Sequence, residues 1–220
     1  MTGTPRFDAG LRFPRGLYGV TPDWEDTRVL VDRIERAAAH GLRALQLRRK
    51  NAQADALRNQ AREIQAVCRH HGVVFVINDD WRLAAEIGAD AVHVGREDTS
   101  LAAVRAEVGN TLLIGVSCYN DLALAQDALQ ENADYIAFGA VFPSPTKPAA
   151  ARADLALLAR ARALLDTQPR PRPALVAIGG ITPENCAPLA QVGVDAIALI
   201  TGLFEAPDIA AAAAACARHY

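Results

Sequence analysis

Lysine is almost missing from this chain. Of its 23 Lys and Arg residues only Lys50 and Lys147 are lysines, so arginine serves wherever a generic solvated cation is needed. A lysine that survives such a bias is either a chance leftover or marks a position where a compact ammonium on a flexible stem is not replaced by a planar fork. Aromatic residues are scarce too, at 5% of the chain, so a core must be aliphatic, and the 51% hydrophobic content is ample for one. The formal net charge of -2 supplies no global basic field, which argues against nucleic acid as a partner. No apolar run reaches membrane-spanning length. Residues 1–16 hold Arg6, Asp8, Arg12 and Arg15 and lack an apolar h-region, so they are not a signal peptide. Cys68, Cys118, Cys186 and Cys216 form no CxxC pair and no disulfide framework; reduced thiols in a cytoplasmic protein are expected.

What is present is a short repeated signal: a helix-ending Gly or Asn, one or two residues, then an apolar strand. It occurs at Gly41-Leu42-Arg43-Ala44-Leu45, Gly88-Ala89-Asp90-Ala91-Val92, Asn132-Ala133-Asp134-Tyr135-Ile136 and Gly193-Val194-Asp195-Ala196-Ile197. Gly or Asn suits the left-handed position that closes a helix. Further strands are expected at Val73 to Ile77, Leu112 to Val116 and Leu175 to Ile178, and Leu17 to Val20 opens the series. The segments between carry helical apolar spacing, as in Val29, Leu30, Ile34 and Ala37. Continuously apolar strands alternating with amphipathic helices imply parallel pairing buried on both faces. Eight such units in 220 residues predict a single (β/α)8 barrel, the TIM-barrel class, over residues 17–220, behind an N-terminal extension of residues 1–16. A doubly wound open sheet is the runner-up, and the first strand lacks the GxGxxG turn of its dinucleotide-binding form.

Such a barrel carries its chemistry at the C-terminal ends of its strands. Gln46, Arg48 and Lys50 follow the second strand, and alternation turns them to one side while Leu47 and Arg49 face the other. Polar groups at alternating positions of a buried strand are costly unless they bind something or form a satisfied salt-bridge layer. Asn78, Asp79 and Asp80 follow the third strand, and His93 to Asp98 the fourth. Asp79 and Asp98 stand 19 residues apart, one strand–helix unit on, so their loops are neighbours on the rim. Two carboxylates beside cationic groups suggest Mg2+ held by few protein ligands, with water and a phosphate completing its shell. Asp80 directly precedes Trp81-Arg82-Leu83-Ala84 and is expected to cap that helix, while Asp98 or Ser100 can cap the next. His93 alone is more simply a buried, hydrogen-bonded histidine.

Ser117 ends the fifth strand with one hydroxyl to donate. The Ser144-Pro145-Thr146-Lys147 loop after the sixth offers two hydroxyls and an ammonium to an anion. Gly179 and Gly180 after the seventh strand, and Ile200-Thr201-Gly202 after the eighth, let backbone N–H groups approach a phosphate, although tight loop packing explains glycines too. Two anion sites are therefore expected: a metal-assisted one around strands two to six, and a backbone one at strands seven and eight.

These runs, in this order, resemble the thiamine-phosphate synthase (thiamine-phosphate pyrophosphorylase) family. The resemblance extends from about Leu17 to Leu203, and residues 1–16 carry no part of it. It rests on Gln46 to Lys50, Asn78-Asp79, His93 to Asp98, Gly115-Val116-Ser117, Gly139 to Lys147 and Ala177 to Thr182. That family joins a pyrimidine methyl diphosphate to a thiazole ethyl phosphate, forming thiamine phosphate and releasing pyrophosphate. The resemblance implies a Mg2+-dependent transferase of thiamine biosynthesis acting on small molecules in the cytoplasm, with a homodimer left open as its assembly. It implies that Gln46, Arg48, Lys50, Asn78, Ser117 and Lys147 hold the pyrimidine diphosphate, with Arg48, Lys50, Ser117 and Lys147 acting in catalysis. Asp79 and Asp98 would ligate Mg2+. Ser144, Pro145 and Thr146 would line the thiazole phosphate, with Gly180, Ile200 and Thr201 on its phosphate side.

Such chemistry is electrostatic and positional, so no protein nucleophile is required. Three positions depart from the family pattern: Arg49 where Glu is common, Thr201 where Ser is common, and Cys118-Tyr119 in place of a small or His-containing pair. Arg49 points away from Gln46 by alternation, so little effect is expected. The sister family of thiazole tautomerases resembles the chain less, since it typically has His where this chain has Ala140 and Cys118-Tyr119 and lacks the paired carboxylates. A catalytically silent phosphate-binding barrel would be expected to have lost one of Arg48, Asp79, Asp98 and Lys147, and all four are present.

Overall fold

A computed structural model describes residues 10–95, 100–143 and 152–220. In chain order the elements are β1 (Gly16–Val20), α1 (Thr27–Ala38), β2 (Leu42–Leu47), α2 (Ala54–His71), β3 (Val74–Asn78), α3 (Trp81–Ile87), β4 (Ala91–Val94) and α4 (Leu101–Val108). They continue as β5 (Leu113–Tyr119), α5 (Leu122–Gln130), β6 (Tyr135–Phe138), α6 (Leu155–Asp166), β7 (Ala174–Ile178), α7 (Ala187–Gln191), β8 (Ala196–Leu199), α8 (Thr201–Phe204) and α9 (Ile209–Ala217). The strands pair in parallel in sequence order, and β8 returns to β1, which closes the barrel and excludes an open sheet. No helix among the described residues is long and apolar enough to cross a membrane.

Alternation along each strand divides the apolar residues into two cores. The outer one, between sheet and helices, takes Leu45, Leu47, Phe75, Ile77, Ile136, Phe138, Leu175 and Ile197. The inner one takes Tyr18, Ala44, Val74, Val76, Ala91, Tyr135, Ala137, Val176, Ala196 and Ala198. An eight-strand barrel leaves an interior just wide enough for side chains to fill, and here small alanines alternate with two tyrosines. Phe13 closes the floor: it is fully buried, stacked on Tyr135 at 4.1 Å and edge-on to Tyr18 at 5.2 Å. Residues 10–13 reach it by pairing with Arg172, through Arg12 N–H to Arg172 C=O and Arg172 N–H to Gly10 C=O, both 3.0 Å.

The repeated Gly/Asn signal has a second structural meaning. Its glycine or asparagine does adopt left-handed backbone, with φ of 65° at Gly88 and 64° at Asn132. In three of its four occurrences an aspartate then serves the preceding strand, while the first has Arg43 there. Asp90 accepts the Phe75 N–H at 2.9 Å, Asp134 the Ile114 N–H at 2.8 Å, and Asp195 the Leu175 N–H at 2.9 Å. Each carboxylate thus satisfies the entry of the odd-numbered strand beside it, an edge the ladder leaves open at the barrel floor. Asp195 is fully buried and also accepts two hydrogen bonds from Arg172, at 2.8 and 2.9 Å, and one from Arg162 at 3.2 Å. Asp195→Ala would leave the buried Arg172 guanidinium uncompensated, so it should lower unfolding free energy by roughly 3–5 kcal/mol. Chemical denaturation of the variant measures this; a loss within experimental scatter would show that the cluster adds no stability.

The helix starts follow the capping residues. Asp80 accepts Leu83 N–H at 2.9 Å and caps α3, as expected. For α4 the cap is Ser100, whose Oγ accepts the Ala103 N–H at 3.3 Å.

Candidate active site

Strand parity turns a polar group from each of four successive strands toward the barrel axis, near the strands' C-terminal ends. These are Gln46 on β2, Asn78 on β3, His93 on β4 and Ser117 on β5, with Asn78 in register with His93. Gln46 is buried, and its Nε2 donates to Tyr18 Oη at 2.7 Å. Tyr18 Oη lies 2.9 Å from Tyr135 Oη, which in turn lies 3.1 Å from His93 Nδ1. His93 Nε2 completes the chain 2.9 Å from Ser117 Oγ. Five side chains from β1, β2, β4, β5 and β6 are therefore joined across the interior. His93 is hydrogen-bonded as expected, though half-buried rather than buried, and Tyr18 and Tyr135 were not singled out from sequence. The available signal was a tyrosine at an inward position of a strand otherwise lined with small or aliphatic residues.

Gly115 makes room for this chain. It sits opposite Tyr135 in the β5–β6 register, and a Cβ there would fall inside the Tyr135 ring. Asp79 leaves β3 in the left-handed region with φ 62°, its N–H bonded to His93 C=O at 2.8 Å and its Oδ2 accepting from Asn78 Nδ2 at 2.5 Å. A positive φ is uncommon outside glycine and enriched in Asp and Asn.

Arg48 and Lys50 lie just past the end of β2 rather than within it. The Arg48 N–H donates to the buried Thr21 Oγ1 at 2.9 Å, while its side chain is half-buried and Lys50 is exposed. Neither takes part in an ion pair among the described residues. Arg49 goes the other way, as alternation predicts: it approaches Glu25 and Gln60 at 3.4 Å and Asp23 at 3.5 Å, on the helix side. Cys118 is buried beside Ser117, and burial pushes its thiol up to about 12, which leaves it without thiolate character.

The loops after β6, β7 and β8 close on one another. Val141 N–H donates to Ile178 C=O and Phe142 N–H to Gly179 C=O, both at 3.0 Å. At Gly180, φ is 65° and a Cβ would come within 2.6 Å of the Phe142 and Pro143 carbonyl oxygens. A Cβ on Gly202 would meet the Ile181 carbonyl in the same way. Half-buried Ile200 packs against the inner core, and exposed Thr201 begins α8. Close backbone approach by itself therefore demands glycine at 180. Gly180→Ala should reduce stability by about 1–3 kcal/mol, the range for a left-handed non-glycine residue. A thermal melt superimposable on wild type would show that the loops yield. Asp98, Ser144, Pro145, Thr146 and Lys147 lie outside the described residues.

A closed (β/α)8 barrel whose mouth gathers amide, hydroxyl, imidazole, carboxylate and cationic groups has the build of an enzyme acting on small polar molecules. The comparisons narrow this class. The family model described as thiamine monophosphate synthase matches residues 17–203, and the chain belongs to that family. A thiamine-phosphate synthase of Bordetella avium is 60% identical over 210 residues, covering 96% of this chain and 97% of that protein. One from Thiobacillus denitrificans is 47% identical over 202 residues, covering 92% and 93%. Among solved structures, a thiamine phosphate pyrophosphorylase from Pyrococcus furiosus superposes with a TM-score of 0.81 at 28% identity, covering 94% of this chain and 96% of that one.

Proposed function

We propose that this transferase joins a pyrimidine methyl diphosphate to a thiazole ethyl phosphate, giving thiamine phosphate and pyrophosphate. The observation that carries the reading is full-length similarity to thiamine-phosphate synthases on both sides of each alignment. The tautomerase and silent-barrel alternatives gain nothing from these relatives. The carbon–oxygen bond to diphosphate breaks with its electron pair leaving on oxygen. The aminopyrimidine supports the methylene cation, and the thiazole nitrogen supplies the pair for the new carbon–nitrogen bond. The protein's part is to hold, orient and neutralise.

Gln46, Arg48, Lys50, Asn78, Ser117 and Lys147 are assigned to the diphosphate substrate, with Arg48, Lys50, Ser117 and Lys147 nearest the departing charge. Ser144, Pro145, Thr146, Gly179, Gly180, Ile200 and Thr201 are assigned to the thiazole phosphate. The residues present fit Mg2+: Asp79 offers a half-buried hard oxygen ligand beside the Asn78 amide, and among the described residues no three-ligand cage competes for another metal. A site with one or two carboxylates suits an ion that keeps waters and takes phosphate oxygens. Asp79 and Asp98 would hold Mg2+, which when bound supplies charge stabilisation on the diphosphate. The four buried cysteines suit a reducing cytoplasm.

Purified protein given both substrates should release pyrophosphate only with Mg2+ present. Asp79→Asn should retain the fold, as circular dichroism reports, and require more Mg2+ for half-maximal turnover. A wild-type Mg2+ titration in that variant would remove Asp79 from the metal site. Lys50→Arg keeps the charge but replaces a compact ammonium with a planar fork; a displacement near 1 Å can lower the rate by about 10²-fold. Single-turnover pyrophosphate release equal to wild type would make Lys50 a mere point charge.

A further inference from the structure

We infer that the buried Tyr135 phenol, backed by Tyr18, holds His93 in its Nε2–H tautomer and thereby makes Ser117 a hydrogen-bond donor to substrate rather than a nucleophile. The contact of His93 Nε2 with Ser117 Oγ at 2.9 Å has the spacing of a serine–histidine pair. In a serine nucleophile site, however, an acceptor on Nδ1–H leaves the Nε2 lone pair facing the serine to take its proton. Here the group on Nδ1 is a phenol, and proton accounting along the chain decides which way it acts.

Gln46 Nε2 can only donate, so Tyr18 Oη accepts there. Tyr18 has one proton, and its remaining partner in the chain is Tyr135 Oη at 2.9 Å. Both phenols are fully buried, and burial raises both pKa values well above the ordinary tyrosine value, so each keeps that one proton. If Tyr18 donates to Tyr135, Tyr135 donates to His93 Nδ1 at 3.1 Å, and the imidazole proton sits on Nε2. It then points at Ser117 Oγ, whose own hydrogen is turned to another acceptor. In the opposite arrangement His93 Nδ1–H donates to Tyr135 and Tyr135 to Tyr18. The Tyr18 proton, in a site closed to water, then has no acceptor, an arrangement that carries the full desolvation penalty. The direction therefore runs Gln46, Tyr18, Tyr135, His93, Ser117. The ring contact between His93 and Tyr135, stacked at 5.5 Å, fixes the imidazole plane for it. Tyr135 acts through His93 and is a positioning residue; its kinetic consequence rests on the proposed assignment of Ser117 to the diphosphate substrate, whereas the tautomer does not.

Nitrogen-15 spectra of protein labelled on its five histidines report the tautomer directly, with His93→Gln supplying the assignment. Wild type should show an unprotonated Nδ1 and a protonated Nε2 at His93. Tyr18→Phe should keep that pattern, because Tyr135 then has His93 as its acceptor. Tyr135→Phe, which preserves the ring stack, should lose it and show mixed tautomers. A protonated Nδ1 in wild type, or an unchanged pattern in Tyr135→Phe, overturns the inference, and should Tyr135→Phe fail to fold, the wild-type and Tyr18→Phe spectra still decide. In turnover, Tyr135→Phe should lower kcat by about tenfold, the value of one hydrogen bond, with the thiazole phosphate KM unchanged. In a Ser117→Ala background the same substitution should lower kcat no further; full additivity of the two losses would mean that Tyr135 does not work through Ser117. Were wild type to release no pyrophosphate at all, the proposed reaction would fail while the spectra still judged the tautomer.

Discussion

A hydroxyl with no access to water has to find its partners inside the protein, and Tyr135 Oη is the group in this barrel that meets that condition most severely. Its side chain is fully buried at the axis of a closed sheet. Satisfying it draws in Tyr18 on one side and His93 on the other. Accommodating its ring requires glycine at 115 and invites Phe13 to seal the floor beneath. A buried polar network is favourable only when every member is satisfied. That condition makes the interior specific where an all-alanine and valine filling would leave it loose, and it carries the same geometry upward to Ser117 and Gln46.

The two ends of the barrel solve different problems with the same residue types. At the floor, aspartates accept strand N–H groups and arginines cover them, as at Asp195 with Arg172 and Arg162 and at Asp134 with Arg105 at 2.7 Å. Both of these aspartates thus have arginine partners, which is the condition for burying their charge. At the mouth, Asp79 bonds a neighbouring amide and Arg48 has its backbone held by Thr21 while its guanidinium forms no ion pair among the described residues. Conserving stability at one face leaves the other open to ligand chemistry, the usual division in this fold.

The barrel was legible because its signals are local and repeated. Four helix-closing Gly or Asn residues each announce a strand, and with the four further apolar runs they leave few topologies. The outward turn of Arg49 and the capping role of Asp80 followed from alternation and helix grammar in the same way. The interior network was not legible, because its members lie 28, 42 and 117 residues apart and meet only when the sheet closes. The role of the repeated aspartate was hidden for the same reason: its N–H partners are 15 to 20 residues back, on the adjacent strand. Gly180 was read through the phosphate it could approach or through tight loop packing, and the Phe142 and Pro143 carbonyls that meet it are partners the sequence does not display.

The scarcity of lysine acquires a physical sense in this setting. Arginine's planar fork is spent where two directed bonds are needed at once: Arg172 on Asp195, Arg162 on Asp166, Arg58 on Glu86, and Arg105 on the Gly109, Leu112 and Asn132 carbonyls. Those arginines fasten helices to strands and to each other, and a single ammonium could not replace their geometry. Lys50 has no such duty. It stands exposed on the rim after β2, outside any ion pair among the described residues. In a chain that otherwise prefers arginine, a cation with no ion pair among the described residues is available for the diphosphate contact proposed for it.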